Sequence, residues 1–250
     1  MNTSLQKIKS DLHVHTVVSP CAEVEMIPPL IVESALEKGI GLIAITDHNS
    51  SRNYAAVKKA AEGTPLAVLP GMELQTREDV HVLCLFDTAQ QLYQFQDVVD
   101  QHLPVIKNNP DFFGEQFVVD ESGEFICREE RLLLTAASLS LTEAFYLVEK
   151  LGGLFIPAHV NRKAFGLLEV LGFVPTDVEI PAVEVSRHIT PGNALQHFPQ
   201  LQGYPMIQNG DVHRLDEFLG ATTFYLNQIS IHEIRLALKN AENRYFEVAT

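Results

Sequence analysis

Short apolar runs alternate with stretches of helical periodicity along most of the chain. Residues 12–15 read as a short strand. Pro28 and Pro29 suit the first turn of a helix running to Lys38, and Gly39 suits the position just past its end. Residues 41–46 form a continuous apolar run, the pattern of a strand buried on both faces. Residues 52–62 predict a helix, 66–69 and 80–86 predict strands, and Thr88 to about His102 predicts another helix. Residues 141–151 are helical in pattern and end at Gly152-Gly153, after which 154–158 read as a strand. Residues 182–186 and 206–208 continue the series, and 229–241 predict a closing helix. Strands separated by helices imply a parallel sheet, open or closed into a barrel.

Residues 104–135 break this rhythm. Two alternating runs, 116–120 and 124–128, flank Glu121-Ser122-Gly123. They predict a β-hairpin too small to hold a core of its own, and so an insertion into the α/β body.

The chain has 250 residues, 46% hydrophobic and 20% charged, which excludes intrinsic disorder. One domain over residues 1–250, with the insertion at about 104–135, fits that length. With 18 basic and 32 acidic residues the net charge is −14, the wrong sign for coating duplex nucleic acid. Small phosphorylated ligands stay open, because bound metal ions reverse the charge locally. Three cysteines (Cys21, Cys84 and Cys127) make no disulfide framework and predict a reducing compartment. The first seven residues lack the apolar core of a signal peptide. No apolar run reaches the roughly 18 residues of a membrane span. A cytoplasmic protein without membrane contact is expected.

The chemistry gathers at predicted strand ends. His13 and His15 stand at i, i+2, so a strand projects both imidazoles from one face. Asp47-His48 closes the run 41–46. Glu73 follows another strand, His81 lies in the strand 80–86, and His159 closes 154–158. Asp211 and His213 repeat the i, i+2 spacing just after 206–208. In parallel α/β folds the loops at the C-terminal strand ends converge on the site. His102 and His232 fall in helical segments, and His197 reads as surface. His188, beside Arg187 after a strand, is a further candidate.

Four segments together resemble the motifs of the polymerase and histidinol phosphatase (PHP) family. They are Asp11-Leu12-His13-Val14-His15-Thr16, Thr46-Asp47-His48, Pro157-Ala158-His159 and Gly210-Asp211-Val212-His213. Order and spacing match, and the resemblance spans about residues 9–215. It implies a distorted (β/α)7 barrel with a β-hairpin insertion, and a phosphoesterase with up to three metal ions. The implied ligand set falls on His13, His15, His48, Glu73, His81, His159, Asp211 and His213. The family's ninth ligand is usually Asp or His, whereas this chain has Cys21 there. A thiolate ligand would favour softer ions, and its alternative is a small buried apolar residue.

On this resemblance, two or three divalent ions (Zn, Fe or Mn) would activate water against a phosphate monoester or diester. Glu73 is the candidate bridge between ions. Asp11 and Asp47 are expected either to fix histidine tautomers or to accept a proton. Arg187 and His188 are the preferred pair for phosphate oxygens, with Arg52, Arg77, Arg162, Lys163 and Arg214 as further cations. The expected partner is a small phosphorylated substrate of nucleotide or short-oligonucleotide type. An amidohydrolase would also open with His-x-His, but would carry a strand-end lysine and a lone aspartate. A non-catalytic metal-binding module is the other alternative.

Overall fold

The computed structural model describes residues 5–249. Strand β1 (Gln6–Val14) is the pivot of a seven-stranded sheet, running parallel to β2 (Leu42–Ile45), which runs parallel to β3 (Ala67–Gln75). Helices α1 (Pro28–Glu37) and α2 (Tyr54–Ala60) make the two crossovers. Beyond β3 the parallel rule breaks. A tight turn closed by Thr76 N–H to Val80 O reverses the chain into β4 (His81–Leu85), antiparallel to β3 with Gln75 opposite His81. The purely parallel sheet expected from the strand–helix alternation is therefore corrected. A five-residue connection has no room for a crossover helix, so the chain can only return as a hairpin.

Helix α3 (Ala89–His102) follows, capped by Thr88 and Gln91. The segment after it holds the short helix α4 (Pro110–Phe113) and the hairpin β5 (Phe117–Val119) with β6 (Phe125–Arg128), where the alternating runs place it. Helix α5 (Leu141–Lys150) leads into β7 (Leu154–Pro157), antiparallel to β4. Helix α6 (Leu167–Leu171) then precedes β8 (Val183–Val185), and α7 (Pro191–His197) precedes β9 (Met206–Gln208), parallel to β8.

The β8–β9 pair closes the ring. Val160 N–H, just past β7, donates to Glu184 O of β8. His15 N–H and Val212 O, and Val212 N–H and His13 O, join the chain beyond β9 back to β1. Seven strands thus surround one interior, with irregular joints at both ends of the β8–β9 pair, as the expected distorted barrel requires.

Two strands were not anticipated. β10 (Thr222–Leu226) pairs antiparallel with the first half of β1, and β11 (Tyr245–Val248) pairs with β10. Helix α8 (Ile231–Leu238) connects them, so it does not close the chain. The first half of β1 therefore gives this edge to β10, and its last residues give the same edge to the chain after β9.

Helices pack on the outer sheet face through residues spaced three and four apart: Ile31 and Ala35 of α1, Leu92, Phe95 and Val99 of α3, and Ala144 and Val148 of α5. The barrel interior holds Leu12, Leu42, Ala44, Leu83, Leu85 and Ile156 in one apolar cluster. Gly71 sits where β2 and β4 pinch β3. A Cβ there would lie 2.9 Å from Ile45 O and from the Leu85 and Thr46 side chains. Among the described residues no helix is long and apolar enough to cross a membrane.

Candidate metal centre

The register of β1 against β2 shifts between Asp11 and Val14. Leu12 still packs with the interior cluster, whereas Val14 packs outward with Ile43 and Ile45. That irregularity turns His13 and His15 into the barrel mouth. His48 arrives beyond β2 and bridges to Glu73 on β3. His81 opens β4 and does not close it. Because β4 runs antiparallel, its first residue shares the rim with the last residues of β3. His159 and Asp211 take left-handed backbone, at φ 29° and 50°, a costly conformation that concentrates at functional sites.

Glu73 is the hub. Its side chain is 1% exposed. Oε1 lies 3.3 Å from His13 Nε2, 2.9 Å from His81 Nδ1 and 3.1 Å from His159 Nε2. Oε2 lies 3.4 Å from His15 Nε2 and 2.9 Å from His48 Nδ1. Asp211 Oδ1 lies 3.3 Å from His13 Nε2, 3.5 Å from His15 Nε2 and 3.4 Å from His213 Nδ1. Donors bound to one ion at about 2.0–2.1 Å in a tetrahedron stand about 3.4 Å apart, and these separations cluster around that value.

Hydrogen bonding tests whether the set fits a cation. His13 Nδ1–H donates to Glu184, at 3.1 and 3.2 Å to its two oxygens. His15 Nδ1–H donates to Ser19 Oγ at 3.0 Å, and that hydroxyl donates to Asp47 at 2.7 Å. As neutral ligands both rings would present an Nε2 lone pair, and the two atoms face each other at 3.1 Å. Without metal, although burial lowers His13, Glu184, Glu73 and Asp211 raise it, so a proton takes the place of the ion. Glu73 Oε2 is buried with no hydrogen-bond partner. Opposed lone pairs beside an unpartnered buried carboxylate oxygen need positive charge between them. Three overlapping donor groups meet this geometry: His15 with His48 and His213, His13 with His15 and Glu73, and His48 with Glu73 and His81.

Electrostatics agree. Burial alone would raise the Glu73 carboxyl, but His81, His13 and His48 hold it well below the ordinary carboxylate range. Burial pushes His81 down to about 4. Burial and the neighbouring His15 push His213 down to about 3. Both rings are neutral at pH 7 and able to ligate.

The surrounding acids depart from expectation. Asp11 hydrogen-bonds to backbone among the described residues and not to a histidine: it accepts the N–H groups of Gly210, Leu219 and Gly220. Burial raises it to about 6. The register shift breaks the simple alternation that would align Asp11 with His13. Asp47 reaches His15 only through Ser19, and also accepts from Thr16 N–H and Oγ1–H. The histidine-orienting carboxylate is Glu184, which sequence reasoning missed. It accepts from His13, His159 N–H and Asn209 Nδ2–H. Its signal was a charged residue inside the short apolar run 182–186.

Cys21 is exposed at the rim, which removes the buried-apolar reading. Although burial lowers His48, the adjacent Cys21 sulfur and Glu73 raise it to about 9. Two cavities meet at the centre. One, of about 450 Å³, includes Cys21, Arg162, Arg187, His188, Asp211 and Arg214 in its lining. The other, of about 370 Å³, includes His48, Glu73, His81, Phe113, Leu134 and Phe165. Arg162 pairs with Asp211, and the Arg187 guanidinium donates to Gly210 O at 3.3 Å. Arg52 and Arg77 lie away from both cavities, paired with Glu129 and beside Glu78 and Glu143. Lys163 is exposed and lines neither.

Comparison with known proteins finds relatives of this chain. Uncharacterized protein YqxK of Bacillus subtilis (strain 168) is 24% identical over 277 residues, covering 96% of this chain and 64% of that protein. The 5'-3' exoribonuclease Rnm of Escherichia coli (strain K12) is 31% identical over 80 residues, covering 30% of this chain and 26% of its own. The crystal structure of the lesion-specific endonuclease PfuEndoQ from Pyrococcus furiosus superposes with a TM-score of 0.74 at 20% identity. That match covers 96% of this chain and 58% of the endonuclease. The chain thus spans less than two thirds of each of these proteins. The PHP domain family model matches residues 11–136, half of the 250 residues, and the chain belongs to the PHP domain family.

Proposed function

We propose that this protein hydrolyses phosphate monoesters or diesters at a centre of two or three divalent ions (Zn, Fe or Mn). One observation carries the reading: Arg162, Arg187 and Arg214 line the same cavity as Cys21, His159, Asp211 and His213, each held at its rim by a carboxylate, Asp211, Glu217 and Glu23 respectively. Cations beside a many-donor metal site suit a substrate that is itself an anion.

His13, His15, Cys21, His48, Glu73, His81, His159, Asp211 and His213 would hold the ions, with Glu73 shared between them. Such a centre supplies an acidified water and neutralises charge developing on phosphoryl oxygens. Arg187 and Arg214 bind the non-bridging oxygens. His188, exposed in the same cavity, forms with Arg187 the pair that meets the phosphate oxygens. Glu184 holds His13 in the tautomer that leaves Nε2 free, and Asp47 does the same for His15 through Ser19. Asp11 ties the loop bearing Asp211 to β1 through the Gly210 amide.

The same reading treats residues 104–135 as an insertion into one domain. Three unpaired thiols (Cys21, Cys84 and Cys127) fit the reducing cytoplasm. A nucleotide or short oligonucleotide is the favoured substrate class, in keeping with the nuclease names of Rnm and PfuEndoQ. An amidohydrolase reading is weaker, since among the described residues no lysine lines either cavity.

The test is phosphate release by Mn²⁺-loaded protein. The panel holds nucleoside monophosphates, 3′,5′-bisphosphates, short oligonucleotides, histidinol phosphate and an aryl phosphate. Turnover lost in His13→Ala supports the reading. No turnover from protein carrying two or three ions per chain overturns it.

A further inference from the structure

Phe165 stands out on the wall of the metal centre. Its backbone is left-handed, at φ +59°, a genuine outlier for a bulky residue. Two features hold it there. His81 N–H donates to Phe165 O at 3.1 Å. Gly166 follows, where a Cβ would stand 2.1 Å from Arg162 O, so only glycine completes this turn. The turn presents the Phe165 ring to His81, stacked at a centroid distance of 4.4 Å and an interplanar angle of 4°. Phe165 is nevertheless 37% exposed, and it lines the cavity over Glu73, His81 and His159 with Phe113 and Leu134. More than a third of its surface stays open to that cavity, so the strained placement does not serve burial alone.

The two cavities differ in chemistry. Beyond their shared metal-centre residues, one gathers Arg187, Arg214 and His188, and the other gathers Phe113, Leu134 and Phe165. A phosphoester seated between them has its anionic group on the arginine side. Its alcohol portion then lies on the aromatic side.

We propose that Phe165 is a specificity-determining residue that stacks on a nucleobase of the substrate, with Phe113 and Leu134 completing the slot. The cavity, about 370 Å³, falls within the range of small-molecule sites. Stacking on an aromatic side chain discriminates ring from no ring while tolerating every base. The inference rests on the phosphoester reading for the orientation of the ligand, but not for its test.

The experiment measures calorimetric binding of adenosine 5′-monophosphate and of ribose 5-phosphate to Mn²⁺-loaded protein, with metal content determined in parallel. Wild type is expected to prefer the nucleotide about tenfold. Phe165→Ala should erase that preference, leaving ribose 5-phosphate affinity and metal content unchanged, and Phe165→Tyr should keep it. The proposal is overturned if wild type shows no preference or binds neither ligand, or if Phe165→Ala keeps the preference. It is equally overturned if Phe165→Ala weakens both ligands alike with loss of metal, which makes Phe165 only a support for His81. Preferential binding without turnover of any phosphoester would keep this inference while removing the hydrolytic reading.

Discussion

Glu184 grips the Nδ1–H of His13 with both carboxylate oxygens, at 3.1 and 3.2 Å, across 171 residues of sequence. The contact fixes which nitrogen of His13 faces Glu73. Outer partners of this kind typically govern metal affinity ten- to hundredfold. Glu184→Ala should weaken metal binding by about that factor, measured by competition with a chelator. The metal-free protein should also lose about 2 kcal/mol or more, because Asn209, His159 N–H and His13 lose a buried acceptor. Unchanged metal affinity would remove Glu184 from this role.

Cys21 tests the departure from the usual ligand pattern. It is exposed at the rim, so Cys21→Ser is expected to fold and to load metal. Metal preference should shift from Zn²⁺ toward Mn²⁺, because a hydroxyl is the harder donor. Elemental analysis after loading from an equimolar mixture reads the ratio, and an unaltered ratio excludes Cys21 as a ligand.

The site should exchange protons for metal. In the metal-free protein His48 is raised to about 9 by Cys21 and Glu73, against the effect of its burial. A folded pKa above the unfolded value of about 6.5 stabilises the fold fully below pH 6.5, and that contribution disappears as pH rises through 9. Metal binding must displace the same proton. Between pH 7 and 9 the metal-free protein should become less resistant to urea while apparent metal affinity increases. Calorimetry in buffers of different ionisation enthalpy should show protons released on binding. Zero release at pH 7.5 would contradict this.

Far from the centre, Arg244 donates to both Glu233 oxygens, at 3.0 and 2.8 Å, tying the entry of β11 to α8. The Arg244 hydrogen bonds hold the Glu233 carboxyl below its ordinary value. The stabilisation is present above about pH 4.5 and is lost as pH falls through the folded pKa. Arg244→Met should lower the urea midpoint at pH 7 and lower it much less at pH 3. Equal costs at both pH values would show that the ion pair is not their source.

Much of this was legible because it is local. The His13-x-His15 and Asp211-x-His213 spacings lie within single segments, and the hairpin carries its own turn residues. Helices α3 and α5 announce themselves through the Thr88–Gln91 and Ser140–Glu143 caps. What was missed depends on distant pairing. The alternation of Thr222–Leu226 is visible in hindsight, but its partner is more than 200 residues away on β1. Asp11 was expected on a histidine because nothing near it in sequence reveals the Gly210, Leu219 and Gly220 amides that occupy it. The reversal into β4 escaped notice because the apolar run 80–86 reads the same in either direction.

That reversal makes one connection in the chain length-locked. Side chains on a strand alternate faces, so a shift of one residue turns every one of them over. One residue added to or removed from the turn 76–80 would swing His81 from Glu73 into the helix-packed layer, and send Val82 and Cys84 the opposite way. The loop 104–135 borders the site without setting any strand register in the barrel, so its length can drift. The segment 104–135 can thus change length without disturbing the barrel register, provided Phe113 and Leu134 keep their place in the cavity wall, whereas the β3–β4 turn acts as a ruler for His81.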